Sequence, residues 1–560
     1  MIVTFPPALI LVLGAVAVPF LESGPRAIWL LALPLVVLVL VWTVPDGLVL
    51  TARYLDYELV LLQGTKLGRL FASIFAIMAF AGALFALNQR RLIELAAAQL
   101  YAGGAVGVAM AGDLVTVFVF WELMAVGSSL IIWSARSPAA YRASMRYIMI
   151  HFLGGVLLMT GIVAHVFDVG SIAFGPMQPK TLGTWLILIG FLVNAGAPPL
   201  SAWIPDAYPE ASWSGTVFLS AFTTKAAVYV LIAGFAGAKV LVFLGLYMIF
   251  YGIIYALLEN DARRILAYSI VNQVGFMVTG VGIGTEMALN GSASHAFTHI
   301  IYKALLLMSA GSVLYMTGKR KCSDLGGLFQ SMPVTTLCGI IGALAISSFP
   351  LTSGFVSKSM ISEAAVDQHL ALVWFLLAAA SAGVFLHAGI KFPWFVFFQK
   401  DSGLRPADPP WNMRWAMAFF AFLCIAIGVA PGPLYAILPF PVAFEPYTSA
   451  HVVNMLQLLL FAGLSFFLML PMMERTLTIS LDWDWFYRRL GNRLVAAAVD
   501  GVARLRDRLE AAAKGLLDRF LALVVRYHGP DGVMAKTITA GDMVLWAIVL
   551  LAVYLLVYFV

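Results

Sequence analysis

The chain has 560 residues, of which 62% are hydrophobic and only 11% are charged. Soluble domains carry about 25% charged residues, so this composition excludes a soluble globular protein and indicates a polytopic membrane protein. The net charge of +6 comes from lysines and arginines in the loops, and it does not imply a nucleic-acid partner.

About sixteen apolar segments follow one another, separated by short polar links. Runs of about 20 apolar residues indicate transmembrane helices, whereas the strands of a β-barrel would alternate between polar and apolar residues. We therefore expect an all-α polytopic membrane protein with about 14–16 transmembrane helices. The segments start near residues 4, 27, 68, 92, 114, 143, 182, 214, 240, 264, 293, 333, 371, 413, 451 and 541.

The loops after odd-numbered segments are rich in arginine and lysine, as in Arg90-Arg91, Arg263-Arg264 and Lys319-Arg320-Lys321. The loops after even-numbered segments carry far fewer cations, and in residues 45–66 the cations are offset by acids. The positive-inside rule then places the odd-segment loops in the cytoplasm and the N-terminus outside. We expect a multi-pass protein of the bacterial cell (inner) membrane.

Two segments are interrupted by proline and glycine. The seventh contains "NAGAPPLSAW" with Asn194, Pro198 and Pro199, and the twelfth contains "SSFPLTSGFVSK" with Pro350. Such breaks are tolerated in a membrane where they face protein or line a cavity. The two breaks lie five segments apart, and a unit with an odd number of spans must invert when it is repeated. The pattern predicts two inverted five-helix repeats that contain broken helices.

Near residues 483–527, arginines alternate with an apolar stripe at three-and-four spacing. This pattern predicts an amphipathic helix on the membrane surface or along the neighbouring helices.

The predicted organisation of the chain therefore has six parts. The six parts are N-terminal transmembrane helices in 1–90, a first repeat in 91–258, a second repeat in 259–400, C-terminal transmembrane helices in 401–475, an amphipathic surface helix in 476–535 and a final transmembrane helix in 536–560.

Glu122 lies near the middle of the apolar stretch "GDLVTVFVFWELMAVGSSLIIW". In a helix it is about 13 Å from Asp113, close to the midplane of a hydrocarbon core about 30 Å thick. A carboxylate at this depth costs roughly 2.5–3.5 kcal/mol on insertion scales, which makes it a candidate functional residue.

Several lysines and histidines also lie within apolar segments. One such residue is often paired inside the bundle only to fix packing, but an acid with several lysines and histidines over five or more segments indicates a chain of proton-transfer sites. Lysine and histidine can exchange protons when their surroundings change, whereas arginine stays protonated. Besides Glu122, the candidates are His151, Lys225, His295, His299, Lys303, Lys358, His387 and Lys391.

Metal, redox and catalytic centres are not expected. His295 and His299 are spaced for metal binding, but no carboxylate or cysteine accompanies them. The three cysteines, Cys322, Cys338 and Cys424, have no metal-like spacing, and no glycine-rich βαβ unit is present. We predict no cofactor and no enzymatic activity in this chain itself.

Six motifs carry a resemblance to a known family: "FWELM", "PPLSAWIPDAYPEA", "LSAFTTKAAVY", "LENDARRILAYSIVNQVGFM", "HAFTHIIYKALLLMSAGSV" and "SGFVSK". Over roughly residues 60–400 the chain resembles the antiporter-like membrane subunits shared by Mrp-type multisubunit Na⁺/H⁺ antiporters, complex I and membrane-bound hydrogenases. Within this family it is most similar to the D subunits of Mrp antiporters.

The resemblance implies roles for individual residues. Glu122 matches the key glutamate of the fifth helix, Lys225 matches the lysine of the eighth, and Lys358 matches the lysine of the second broken helix. His295, His299 and Lys303 match the central polar axis. This chain departs from the family at Asn194, where a lysine usually pairs with the glutamate. Asparagine cannot titrate, so the usual Glu–Lys switch of the first half is in doubt.

The function implied by the resemblance is proton translocation along a Glu/Lys/His axis, within a multisubunit antiporter that exchanges protons for a monovalent cation, Na⁺ foremost. The partners would then be other membrane subunits, protons, the cation and the lipid bilayer. Two alternatives remain open. The chain could be a proton-pumping subunit of a complex I-like quinone oxidoreductase or membrane-bound hydrogenase, with the redox chemistry in partner subunits, or it could be a structural subunit that does not conduct.

Overall fold

The computed structural model describes residues 5–473 and 482–560, which fall into two compact units, Met1–Asp484 and Trp485–Val560. The start predicted for the first segment, near residue 4, lies outside the described residues. So do residues 476–481 of the predicted surface helix and the last two residues of the predicted region 401–475.

The first unit is a helical bundle with one small hairpin. Its described helices are α1 (Pro7–Ala17), α2 (Ser23–Thr43), α3 (Lys66–Phe85), α4 (Leu92–Met110), α5 (Leu114–Trp133), α6 (Pro138–Val169), α7 (Leu182–Ala195), α8 (Trp203–Ala207), α9 (Gly215–Leu219), α10 (Thr223–Phe235), α11 (Val240–Leu258), α12 (Ala262–Ile283), α13 (Glu286–Thr317), α14 (Pro333–Ile346), α15 (Ser353–Asp367), α16 (Ala371–Val384), α17 (Trp411–Val429), α18 (Gly432–Ala436) and α19 (Ser449–Leu468).

The second unit contains a long helix, α20 (Asn492–His528), and an apolar helix, α21 (Ala540–Phe559). The 37 residues of α20 make a rod about 55 Å long at about 1.5 Å per residue. It carries the arginines and the apolar stripe on which the amphipathic helix was predicted.

Within the described residues, 13 helices are long and apolar enough to cross a membrane, and three shorter apolar helices account for the remaining predicted segments. The prediction of an all-α polytopic membrane protein is therefore confirmed, with one exception. Gly47–Tyr54 (β1) and Tyr57–Gly64 (β2) form an antiparallel hairpin in the segment where the predicted loop carried mixed charges.

Two sets of five spans repeat in length. The helices α4, α5, α6 and α7 have 19, 20, 32 and 14 residues, and the helices α11, α12, α13 and α14 have 19, 22, 32 and 14. Each set ends with one further span. Matched in this way, the second set begins at Val240, one helix before the predicted boundary at 258/259.

The second helix of each set begins at an aspartate whose side chain caps the helix N-terminus. The Asp113 carboxylate accepts hydrogen bonds from the backbone N–H groups of Val115 and Thr116, and Asp261 accepts from those of Arg263 and Arg264. These bonds satisfy donors that a helix N-terminus leaves unpaired. Asp113 also accepts from the backbone N–H of Val60 at 2.7 Å, which fastens the hairpin to the bundle.

The seventh and twelfth spans are broken where the proline motifs predict. The Trp203 indole donates to the carbonyl of Val193 at 2.9 Å, which satisfies a backbone acceptor exposed by the first break. In the second break, Ser348 and Leu351 adopt positive φ angles of 59° and 68°. The eighth span is broken too, between α9 and α10, although no proline marks the position.

Replacing the Asp113 cap is expected to destabilise the bundle. Asp113→Ala removes a helix cap, which costs about 0.5–2 kcal/mol, and leaves the Val60 N–H without its acceptor. Thermal unfolding of the purified full chain in detergent should show a lower midpoint for Asp113→Ala. Asp168→Ala, at an exposed carboxylate near the end of α6, is the control and should leave the midpoint within error. Equal midpoints for both variants would contradict the capping role.

Candidate functional site

Glu122 lies near the middle of α5 and faces the outside of the bundle. Its side chain is only half-buried, and its Oε1 atom has no hydrogen-bond partner among the described residues. Val119 and Phe152, beside it on α5 and α6, are 57% and 45% exposed. The Glu122 side chain therefore lies close to the surface of the chain, with its Oε1 atom buried against Gly155 of α6.

A cavity of about 460 Å³ adjoins Glu122. Its walls come from α5 and α6 and include Phe118, Phe152 and Met159, so they are mostly apolar. Gly155 leaves room for the carboxyl group, because a Cβ atom at this position would collide with Oε1 of Glu122. The acid thus has room on its outer side and a tight fit on its inner side.

His151, on α6, is bonded to Asn194, at the position where the sequence resemblance implies a lysine. Its Nδ1 lies 2.7 Å from Oδ1 of Asn194, and both side chains are buried. The imidazole ring also packs on Tyr147, with ring centres 4.0 Å apart. The position expected to hold a cation therefore holds a neutral amide that orients a histidine.

Lys225, in the first turn of α10, is completely buried. Its Nζ donates to the carbonyl of Ser220 at 2.6 Å and to Oγ1 of Thr224 at 3.1 Å. The Ser220 carbonyl lies in the break between α9 and α10. The break thus supplies the acceptor that lets a lysine amine sit in the protein interior.

His295 is the centre of a hydrogen-bonded group in the second set of helices. Its Nε2 is 3.0 Å from Oε1 of Gln273 and 3.4 Å from the Tyr302 hydroxyl. Its Nδ1 is 3.3 Å from Oγ of Ser357, which also contacts Thr298 at 2.8 Å. The group joins α12, α13 and α15 by side chains most of which can both give and accept hydrogen bonds.

His299 and Lys303 continue along the same face of α13. The His299 ring lies 6.2 Å from that of His295, and neither of its nitrogens has a partner among the described residues. Lys303 donates to Oγ of Ser269 at 2.8 Å. Lys225 is close enough to interact electrostatically with His299 and Lys303. The structure thus brings the α10 lysine and the α13 residues into one interior cluster.

Lys358 approaches this cluster from the second broken helix. It is 2% exposed, and its Nζ has no hydrogen-bond partner among the described residues. The amine lies 4.9 Å from the centre of the Phe276 ring, a distance at which a cation is attracted to the aromatic face. Lys358 also lies within electrostatic range of His295.

His387 and Lys391 lie farther along the chain, in a π-helical segment, Phe385–Lys391. His387 Nδ1 is 2.8 Å from the carbonyl of Gly383. Lys391 donates to three carbonyls at the end of α11, those of Ala256, Leu257 and Glu259. This geometry is that of a helix cap, since a cation near the last carbonyls of a helix is stabilising.

Several polar residues that bond to His295 or to Lys303 were not singled out from the sequence, namely Gln273, Ser357, Tyr302 and Ser269. The signal for two of them was present, because Gln273 and Ser269 are polar residues in α12, a helix that is buried along its whole length. A fully buried helix with amide and hydroxyl groups must satisfy them inside the protein.

Comparison with known proteins supports the fold and the motifs together. Residues 111–385 match the profile of a transmembrane family described as NADH:quinone oxidoreductase/Mrp antiporter. The A/B subunit of a probable K⁺/H⁺ antiporter of Rhizobium meliloti is 28% identical over an alignment of 357 residues that covers 59% of this chain and 36% of that protein. The D subunit of the Na⁺/H⁺ antiporter of Alkalihalophilus pseudofirmus is 29% identical over 283 residues, 47% of this chain and 57% of that protein.

Relatives from redox complexes match as well. The NAD(P)H-quinone oxidoreductase chain 5 of Synechocystis is 31% identical over 319 residues, 51% of this chain and 46% of that protein. This chain therefore spans between 36% and 57% of the length of these three relatives.

Two solved structures share the fold over almost the whole chain. A component of the Mrp complex from a Dietzia species superposes with a TM-score of 0.77 at 21% identity, covering 98% of this chain and 65% of that one. A component of an archaeal membrane-bound sulfane sulfur reductase gives a TM-score of 0.71 at 24% identity, covering 98% and 99%. Residues 111–385 of this chain are thus similar to the family of transmembrane subunits shared by NADH:quinone oxidoreductases and Mrp antiporters.

Proposed function

We propose that this chain translocates protons as a membrane subunit of a multisubunit antiporter for a monovalent cation, with Na⁺ as the first candidate. The observation that carries the proposal is the interior cluster of Lys225, His299, Lys303 and Lys358. Four buried basic groups lie within electrostatic range of one another or of His295, and no acid forms an ion pair with any of them among the described residues. Such an arrangement is costly for packing alone, because buried charges repel one another and lose their hydration.

The cluster suits proton transfer because each of its members can release a proton. A protonated lysine disfavours protonation of its neighbours. A proton that arrives at one end of the interior cluster therefore promotes the release of a proton at the other end. His295 lies within electrostatic range of Lys358 and Lys225, and its hydrogen bond with Gln273 holds the imidazole in a fixed orientation. In this proposal, His387 is the last proton-carrying residue beyond the interior cluster, and Lys391 is a helix cap.

Glu122 serves the other end of the proposed path. A carboxylate that faces lipid at this depth is unfavourable by roughly 2.5–3.5 kcal/mol, so we infer that a partner subunit covers the outer face of α5 and α6 in the assembled complex. Glu122 would then exchange protons with a group of that partner. His151, which Asn194 holds in place, would pass protons between Glu122 and the interior cluster.

A second candidate function is a proton-pumping subunit of a redox-driven complex. The observation that favours it is the full-length correspondence in fold with a component of the sulfane sulfur reductase, 99% of whose chain is covered. The two functions differ in the driving reaction. Inverted membrane vesicles that build up ΔpH from an electron donor alone, and fail to respond to Na⁺ or K⁺, would favour the redox-driven complex.

Glu122→Gln is expected to abolish cation-dependent proton movement while the complex still assembles. Glutamine preserves the shape of the side chain but cannot release a proton. The measurement is the ΔpH response of a fluorescent dye to added Na⁺ or K⁺ in inverted vesicles that contain all subunits. Glu286→Gln, at an exposed acid in the first turn of α13, is the matched control and should transport normally. Normal transport by assembled Glu122→Gln would contradict the proposed role.

Lys303 and Lys391 are expected to differ, because one is placed for proton transfer and the other as a cap. Lys303→Met should abolish transport and leave assembly intact. Lys391→Met should lower the thermal unfolding midpoint, since three carbonyls at the end of α11 lose their donor, while transport per assembled complex stays within about twofold of wild type. The reverse pattern would show that Lys391 carries the protons and that Lys303 is structural.

A further inference from the structure

A second cavity, of about 560 Å³, lies at the ends of the helices on the side that the arginine-rich loops predict to be cytoplasmic. It lies where α4 and α12 begin and where α13 ends, next to the loop between α8 and α9. We call it the arginine cavity, because four arginines and a single carboxylate line it: Arg90, Arg91, Arg263, Arg320 and Glu210.

The inner wall of the arginine cavity is rigidly built. Behind it lies Glu94, which is fully buried and accepts hydrogen bonds from Gln89, Ser134, Ser212 and Ser214. With four donors, the Glu94 carboxylate is fully hydrogen-bonded within the protein. It also fixes the loop that carries Ser212 and Ser214. Sequence reasoning did not identify this acid, which lies in the first turn of α4.

Arg263 is fixed by the same loop. It is 2% exposed and donates from one guanidinium nitrogen to the carbonyls of Ala211 and Ser212, at 2.9 and 2.8 Å. Its charge therefore stays at the wall of the cavity, because the side chain has no room to leave. An immobile guanidinium loses little conformational freedom when it binds an anion.

The remaining charges leave the arginine cavity positive. Arg320 pairs with Glu210 at 3.0 Å and with Asp261 at 2.7 Å, so its charge is compensated. The guanidinium groups of Arg90 and Arg91 have no hydrogen-bond or ion-pair partner among the described residues. Two unpaired arginines at the rim and one buried arginine at the wall thus face the same space.

One side of the arginine cavity is apolar. Trp213 and Tyr315 pack with ring centres 4.8 Å apart, and Leu314 lies beside them in the wall. Tyr315 is 40% exposed. Tryptophan and tyrosine are typical of the membrane interface, where one side of the ring meets apolar material and the other meets water.

We propose that the arginine cavity binds the phosphate of an anionic phospholipid headgroup. Arginine recognises phosphate by paired N–H···O bonds, and basic pockets between transmembrane helices on the cytoplasmic side suit lipid head groups. The apolar side formed by Trp213 and Tyr315 accommodates the glycerol and the first carbons of the acyl chains. A free phosphate compound would use the arginines but gain nothing from this side.

The test is lipid retention by the purified full chain. Detergent-solubilised protein is loaded with phosphatidylglycerol or phosphatidylcholine and washed, and the lipid retained per chain is measured by mass spectrometry. We expect retention of phosphatidylglycerol only, with affinity reduced roughly a hundredfold in the double variant Arg90→Gln/Arg91→Gln, because each of the two lost charge-assisted bonds is worth about a factor of ten. The arginines replaced are at the rim and bear no structural bonds from their guanidinium groups among the described residues, so the variant should fold.

Arg142→Gln is the matched control, since Arg142 is exposed near the start of α6, on the same predicted side, and does not line the arginine cavity. Inorganic phosphate is the second probe. One outcome is that phosphate raises the thermal unfolding midpoint of the wild type as strongly as phosphatidylglycerol does, with both effects lost in the double variant. That result would support a phosphate site in the arginine cavity, but with a free phosphate compound as its ligand in place of a lipid. Unchanged retention in the double variant, or an equal loss in Arg142→Gln, would overturn the proposal.

Discussion

The constraint on which this structure depends is that polar groups inside a membrane-spanning bundle must find partners within the protein. Water is absent from the hydrocarbon region, so each unsatisfied backbone group there costs several kcal/mol. The broken helices follow from this constraint in both directions. A break exposes carbonyls, and those carbonyls become the acceptors that let charged side chains enter the interior. Lys225 depends on the Ser220 carbonyl in this way, and the Val193 carbonyl accepts from the Trp203 indole as well as from the Gly196 N–H.

The two sets of five spans use a common scaffold for different chemistry. Counted from the first residue of α6 and α13, His151 and His299 occupy the same position, whereas Gly155 occupies the position of Lys303. The first set therefore leaves a space where the second has a lysine, and Glu122 of α5 packs into that space. The corresponding position in α12 is Ile270. Titratable groups thus concentrate in the interior of the second set, and the first set presents an acid at its outer face.

In this arrangement Asn194 orients the His151 side chain. A lysine at this position, which the resemblance implies, would bring a cation to the first break, but the amide oxygen of Asn194 is 2.7 Å from Nδ1 of His151. An amide fixes the orientation of the imidazole without contributing charge. The first set accordingly has one neutral orienting group in place of a titratable one, and its proposed proton-carrying residues are reduced to Glu122, His151 and the shared Lys225.

The sequence predicted the features that depend on local pattern. The sixteen segments, the breaks at Pro198-Pro199 and Pro350, and the common face of His295, His299 and Lys303 all follow from hydropathy, backbone chemistry or helical spacing. The outward position of Glu122 could not be predicted, because large apolar residues lie on every side of α5 and do not mark which side faces the bundle. The hairpin at 47–64, the break before Lys225 and the capping geometry of Lys391 depend on tertiary contacts, which one-dimensional patterns do not contain.

The central claim is that the interior cluster carries protons that must be released. Replacing Lys225 by arginine tests it most directly, because arginine keeps the positive charge but stays protonated under all physiological conditions. Transport is measured as cation-driven ΔpH in inverted vesicles with all subunits assembled, beside Lys239→Arg at an exposed lysine. We expect Lys225→Arg to assemble and fail to transport, while Lys239→Arg transports normally. Full transport by Lys225→Arg would show that the site requires only a fixed charge, and would contradict the account.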